Sequence, residues 1–151
     1  MKKTLYIVGI IVIASFLQSC GGDRHHSKKH DESHSTSTNT EKALDDLVLN
    51  DGQKWKMDDH TRSIFVKMSG SFLNIDHVSL EGDGLKKAGT DLQADIKLLV
   101  QGCTMTGPAH DQLHIYLTGY MPAVAALTEK GSIEDAQKVK HYLEKYTEYF
   151  E

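Results

Sequence analysis

Hydrophobic residues recur at three- and four-residue steps in four consecutive segments of the chain, which is the spacing of one face of an α-helix. The first segment starts near Asp58, whose carboxylate can cap a helix. The second runs from about Leu85 to Met105, and the third opens at Pro108 and ends at Gly131, where the fourth follows directly. The pattern therefore predicts four helices, with no strand pattern to compete with them.

The apolar positions of these segments also predict the core. They are Thr61, Ile64, Phe65, Met68, Phe72 and Ile75; then Leu85, Ala88, Leu92, Ile96, Leu99, Val100 and Cys103; then His110, Leu113, His114, Leu117, Met121, Val124 and Leu127; and last Ile133, Ala136, Val139, Tyr142, Leu143, Tyr146, Tyr149 and Phe150. Four such helices with short connections are typical of an all-α, antiparallel up-and-down four-helix bundle, here spanning residues 41–151.

Residues at the helix boundaries support this division. Gly107 can take a positive φ and Pro108 suits the first position of a new helix. Ser132 and Asp135 have the spacing of a capping box at the start of the fourth helix. Pro122 is expected to kink or split the third helix.

The N-terminus predicts export. Lys2 and Lys3 precede an apolar run over residues 5–16, which is typical of a secretory signal and too short for a comfortable membrane span. The sequence Leu17-Gln18-Ser19-Cys20 then resembles the lipobox of bacterial lipoproteins, although Gln18 is not its commonest residue. The resemblance implies a signal peptide over 1–19, lipid on Cys20 and attachment to a membrane. The alternative is a plain signal peptide cut nearby.

Residues 20–40 predict a flexible linker that begins at the lipidated cysteine. They are rich in Gly, Ser, Thr and His and cannot bury enough apolar surface to fold. The histidines of this linker are His25, His26, His30 and His34. They either collect metal ions loosely or belong to a solvated, pH-responsive spacer.

The charge of the chain argues against one class of partner, and its cysteine content singles out Cys103 as a candidate functional residue. Seventeen basic and twenty-one acidic residues give a net charge of −4 without a basic patch, so no nucleic acid is expected as partner. The chain has two cysteines, and if Cys20 carries lipid then Cys103 has no partner within the chain. An unpaired cysteine in an exported protein indicates a reactive thiol, an intermolecular bridge or a metal ligand.

The turn after the second helix favours the third of these roles, a metal ligand, for Cys103. Cys103, Met105, His110 and His114 form a soft donor set within twelve residues, and an up-and-down bundle would bring His60 to the same end. Thiolate, thioether and imidazole donors suit copper or zinc. Cys103, His110 and His114 are the predicted core ligands, and Cys103→Ala or His114→Ala is expected to abolish tight binding. The alternative is that the sulfur residues pack in the core and the histidines decorate a helix start.

A second resemblance supports a location in the bacterial cell envelope. The run Leu49-Asn50-Asp51-Gly52-Gln53-Lys54-Trp55, with the downstream pattern Cys103-x-Met105-x-Gly107-x-x-His110-x-x-Leu113-His114, resembles small envelope lipoproteins of Gram-negative, Bacteroidota-type bacteria. It implies a helical fold and a place in the cell envelope, but no activity.

The predicted function is a lipid-anchored envelope protein on the periplasmic side of the inner or outer membrane, binding copper or zinc as a buffer, sensor or chaperone. Its partner would be a metal-transport or other envelope protein. The alternative is a structural or interaction lipoprotein without a metal. The sequence lacks Cys-x-x-Cys-His, so covalent haem is excluded, and no haem is expected. It also lacks a nucleophile with a spaced base, so no enzyme is expected.

Overall fold

The computed structural model describes residues 42–151, and within this range the fold is all-helical, as predicted. Its long helices are α1 (Asp59–Leu73), α2 (Asp83–Gly102), α3 (Gly107–Lys130) and α4 (Ile133–Tyr149). The predictions for the signal peptide over 1–19, for lipidation of Cys20 and for the linker over 20–40 lie outside the described residues. Among the helices described, none is both long and apolar enough to cross a membrane.

The predicted capping residues are found at the helix ends. The Asp58 carboxylate accepts the amide N–H of Thr61 at 2.6 Å and caps α1. Gly131 ends α3 in the left-handed conformation, with φ of 65°. Ser132 then caps α4, because its hydroxyl oxygen accepts the amide N–H of Asp135 at 3.1 Å. Local sequence chemistry therefore sets these boundaries.

Pro122 does not split α3, which is continuous from Gly107 to Lys130. A proline removes the N–H that would bond to the carbonyl four residues earlier, here that of Thr118. Both Pro122 and Thr118 are exposed, so water can satisfy this carbonyl. The next residues, Ala123 and Val124, are buried and hold the helix against the core. Of the two effects predicted for Pro122, the split is therefore wrong, and the kink stays a prediction.

Each helix packs against two others. Helix α1 contacts α2 and α4, and α3 also contacts α2 and α4. The shared interior is rich in aromatic rings. Phe65 stacks on Tyr146 with ring centroids 4.7 Å apart and meets Tyr116 edge to face. The hydroxyl of Tyr116 donates to the carbonyl of Tyr142 at 2.9 Å, so this buried phenol is satisfied.

The buried face of α3 differs from the predicted one. Tyr116 and Tyr120 are fully buried, whereas Met121 is 46% exposed and His114 is also exposed. The phenols turn inward because each finds an acceptor there, and for Tyr120 this is the sulfur of Met68 at 3.7 Å. The burial predicted for Met121 and His114 is therefore wrong. On α2, Val100 is likewise wrong, since it lies 56% exposed beside the buried Leu99.

The segment before α1 pairs with the C-terminus. The amide N–H of Trp55 donates to the carbonyl of Tyr149 at 2.7 Å, and that of Glu151 returns to Trp55 at 2.9 Å. The indole N–H of Trp55 donates to the carbonyl of Val48, whose own amide donates to Gln112 in α3. The start of α1, the first turns of α3 and the end of α4 are thereby held at one end of the fold.

Candidate functional site

The α2–α3 turn presents a thiol directly beside the first turns of α3. Helix α2 ends at Gly102, and Cys103 has extended backbone while its amide still donates to the carbonyl of Leu99. The chain re-enters a helix at Gly107, whose φ of 66° is accessible to glycine at little cost. Pro108 follows in the first turn of α3, as predicted. Cys103 therefore lies just outside a helix end rather than within the buried stripe of α2.

A carboxylate from another helix holds this turn in place. The Asp58 side chain that caps α1 also accepts the amide N–H of Thr104 at 2.6 Å and the hydroxyl of Thr104 at 2.9 Å. Partial burial raises the pKa of Asp58, but the hydrogen bonds from Thr61 and Thr104 outweigh burial and hold that pKa well below its ordinary value. Asp58 is therefore an ionised clamp between the start of α1 and the residue after Cys103.

Three of the predicted ligands lie in a row beside this clamp. The sulfur of Cys103 is 3.8 Å from Nδ1 of His110, and Nε2 of His110 is 2.8 Å from Nε2 of His114. The two histidines are four residues apart on α3, which places their rings side by side with centroids 4.4 Å apart. Cys103 and His110 are half-buried, whereas His114 is exposed. The row therefore runs from a half-buried thiol to an imidazole exposed to solvent.

The central ring of this row faces each neighbour with a different nitrogen. Nδ1 of His110 points to the thiol and Nε2 points to His114. The lone pairs of the two nitrogens of an imidazole diverge, so one ion cannot use both. In this arrangement a single ion meets His110 from the side of Cys103 or from the side of His114. Consistent with this, residues 42–151 contain no group of three or more His, Cys, Asp or Glu side chains arranged to hold a metal ion.

The other two predicted ligands make different contacts. Met105 is half-buried and packs against the hydrophobic core. His60 donates its Nε2–H to the carbonyl of Leu98 at 2.9 Å, and its ring lies so close to Gly102 that a β-carbon there would overlap it. The structure thus joins Cys103, His110 and His114, while His60 and Met105 hold α1 and the turn to the rest of the fold.

Sequence reasoning missed the part played by Thr104. The sequence pattern indicates Asp58 as a helix cap, and it gives no reason to single out Thr104. The two residues are 46 positions apart, so their contact depends on the packing of α1 against the end of α2. The sequence does contain one indication of this contact. Asp58 is a predicted helix cap, and an up-and-down bundle places the polar residues of the α2–α3 turn at the same end.

No protein-family model, curated protein or solved structure matches this chain. The features of this chain that bear on its function are therefore the chemistry of the α2–α3 turn and the sequence of the N-terminus.

Proposed function

We propose that this chain is a lipid-anchored protein of the bacterial cell envelope that binds a copper or zinc ion at the α2–α3 turn, as a metal buffer, sensor or chaperone. The observation that carries the proposal is the row of Cys103, His110 and His114, with a thiol and two imidazoles in successive contact. Thiolate and imidazole are the preferred donors for these two metals.

We further infer that the four helices form an antiparallel up-and-down bundle. Each helix contacts its neighbours in cyclic order, and the consecutive helices are joined by connections of nine, four and two residues, the shortest being Gly131 and Ser132. Short connections of this kind are typical of antiparallel neighbours. The pairing of Trp55 with Tyr149 supports the arrangement, since it brings the start of α1 to the end of α4.

The anchor comes from the N-terminal sequence. Acyl chains on Cys20 would attach the protein to the inner or outer membrane, because each buried methylene adds to the binding free energy. Residues 21–40 would then act as a spacer between the membrane and the helical domain. A protein held in this way at the periplasmic surface is well placed to exchange an ion with a metal-transport or other envelope protein.

The test is a metal titration of the full-length chain in a linker-neutral background. This background carries Cys20→Ser and replaces His25, His26, His30 and His34 with Asn, so that Cys103 is its one thiol. We expect one Zn²⁺ or Cu⁺ per chain in competition with a chromophoric chelator. Cys103→Ala should lower the affinity by more than about 100-fold, since losing a ligand costs more than losing an outer-shell partner.

The matched control is His141→Ala, which removes an exposed histidine from α4 and should leave the affinity unchanged. If the linker-neutral background binds no ion, or if Cys103→Ala binds as tightly as its parent, the metal function is wrong. An interaction lipoprotein would then be the better interpretation. One observation favours that alternative: a shallow groove between α2 and α3 is lined by apolar Ile96, Val100, Met121 and Ala125.

A further inference from the structure

We propose that the ion at the α2–α3 turn is bound by the sulfur of Cys103 and by Nδ1 of His110, and that His114 is a positioning residue that orients His110. This inference rests on the proposed metal function and assigns its atoms. It divides three residues of similar chemistry into two ligands and one hydrogen-bond partner.

The two distances in the row distinguish these roles. Nε2 of His110 and Nε2 of His114 are 2.8 Å apart, which is the length of a hydrogen bond with one proton between them. The sulfur and Nδ1 are 3.8 Å apart, which is within the longer range of hydrogen bonds to sulfur and about 1 Å longer than the contact between the two Nε2 atoms. Zinc bonds of about 2.3 Å to sulfur and about 2.0 Å to nitrogen span such a gap at an angle of about 120°. At the tetrahedral angle the same bonds would hold the two atoms about 3.5 Å apart, so the thiol side of His110 takes up an ion with a closure of about 0.3 Å.

The hydrogen bond to His114 can hold His110 in the tautomer that binds an ion. When Nε2 of His110 carries the proton and donates it to Nε2 of His114, Nδ1 of His110 presents its lone pair to the sulfur. Histidines that bind metals usually donate their other ring N–H to a fixed acceptor in this way. On binding, a divalent ion replaces the proton of the Cys103 thiol, which passes to solvent, and the proton on Nε2 stays in place.

An ion between the two Nε2 atoms would fit less well. A tetrahedral angle at zinc holds two bound nitrogens about 3.3 Å apart, so the rings would have to separate by about 0.5 Å and lose their hydrogen bond. Such an ion would also leave the Cys103 thiol unused. The assigned pair of one thiolate and one imidazole suits Zn²⁺ as a borderline-soft ion and leaves positions open for water or for a donor from a partner protein.

The test is Co²⁺ titration of the linker-neutral background, followed by displacement with Zn²⁺. Thiolate bound to Co²⁺ produces an intense near-ultraviolet charge-transfer band that imidazole does not produce. We expect this band in the parent and in His114→Ala at saturation, and no such band in Cys103→Ser. His114→Ala should weaken binding by about 10- to 100-fold, as expected for an outer-shell partner. His114→Gln should recover most of this loss, because its amide oxygen can accept the His110 N–H.

Three outcomes would overturn the assignment. Binding of Co²⁺ by the parent without the charge-transfer band would exclude Cys103 as a ligand, although the metal function would stand. A His114→Ala variant that loses binding as completely as Cys103→Ala, with no recovery in His114→Gln, would make His114 a ligand. An absence of Co²⁺ and Zn²⁺ binding in the parent would end both this assignment and the proposed function.

Discussion

The aromatic interior and the α2–α3 turn are built in different ways. In the interior, Phe65, Tyr116 and Tyr142 are almost fully buried, and the ring centroid of Tyr116 lies 5.5 Å from that of Phe65 and 5.4 Å from that of Tyr142. At the turn, Cys103 and His110 are half-buried, and the backbone beside Cys103 is held by hydrogen bonds from Thr104 to Asp58. Burial of large rings stabilises the first region, whereas a few directional polar contacts order the second.

This difference separates stability from the candidate chemistry. Substitutions in the interior should change the free energy of unfolding strongly while leaving the metal ligands in place in the folded protein. Substitutions at the turn should change metal binding strongly and the free energy of unfolding only weakly. Three measurements of stability, at one interior ring, one close helix contact and the turn, test this contrast.

The largest effect is expected for Phe65→Ala. This ring is fully buried between Tyr116 and Tyr146, so its removal leaves a cavity that rigid neighbours cannot fill. The free energy of unfolding in urea should fall by about 4 kcal/mol. Val66→Ala, at a neighbouring position that is 60% exposed, should change it by less than about 0.5 kcal/mol. Equal effects of the two variants would show that the aromatic interior is not the main source of stability.

A smaller loss is expected for Gly119→Ala in α3. A β-carbon at this position would overlap the hydroxyl of the buried Tyr142, so the variant should lose about 2 kcal/mol through overpacking. Gly70→Ala in α1 is the matched control, because a β-carbon there meets nothing within 4 Å. This control should gain up to about 1 kcal/mol from the higher helix propensity of alanine. Thermal unfolding of both variants measures the contrast, and a stabilised Gly119→Ala variant would contradict the close packing of α3 against α4.

The smallest of the three effects is expected for Asp58→Ala at the turn, a loss of about 1 to 1.5 kcal/mol at neutral pH from the missing helix cap. Asp59→Ala is the control, since its carboxylate is exposed and pairs with Arg62 at the surface. Urea unfolding of parent and variants measures both changes.

The pH dependence sharpens this test. The hydrogen bonds of the fold lower the pKa of Asp58, so its contribution is fully present above the ordinary carboxyl pKa of about 4. That contribution should disappear as the pH falls below this value towards the pKa in the fold. The stability difference between parent and Asp58→Ala should therefore shrink from neutral pH to about pH 3. A difference that is constant over this range would mean that the carboxylate charge does not matter to the clamp.

Much of the fold could be predicted from local chemistry. The caps at Asp58 and Ser132 and the helix end at Gly131 depend on residues within one turn of each other, so the sequence pattern is sufficient to find them. The buried face of α3 is harder to predict from the sequence, because tyrosine is apolar along its ring and polar at its hydroxyl. Whether Tyr116 and Tyr120 turn inward depends on acceptors in other helices, namely the carbonyl of Tyr142 and the sulfur of Met68.

The sequence is sufficient to predict that this chain is helical and that a thiol and two imidazoles lie close together across one turn. Their spacing along the chain guarantees this proximity. The folded structure was needed to show which nitrogen of His110 faces Cys103, that His60 turns to Leu98, and that Asp58 holds Thr104. These orientations arise from contacts between helices far apart in sequence, and hydrogen bonds depend on direction at a scale that hydrophobic periodicity does not encode.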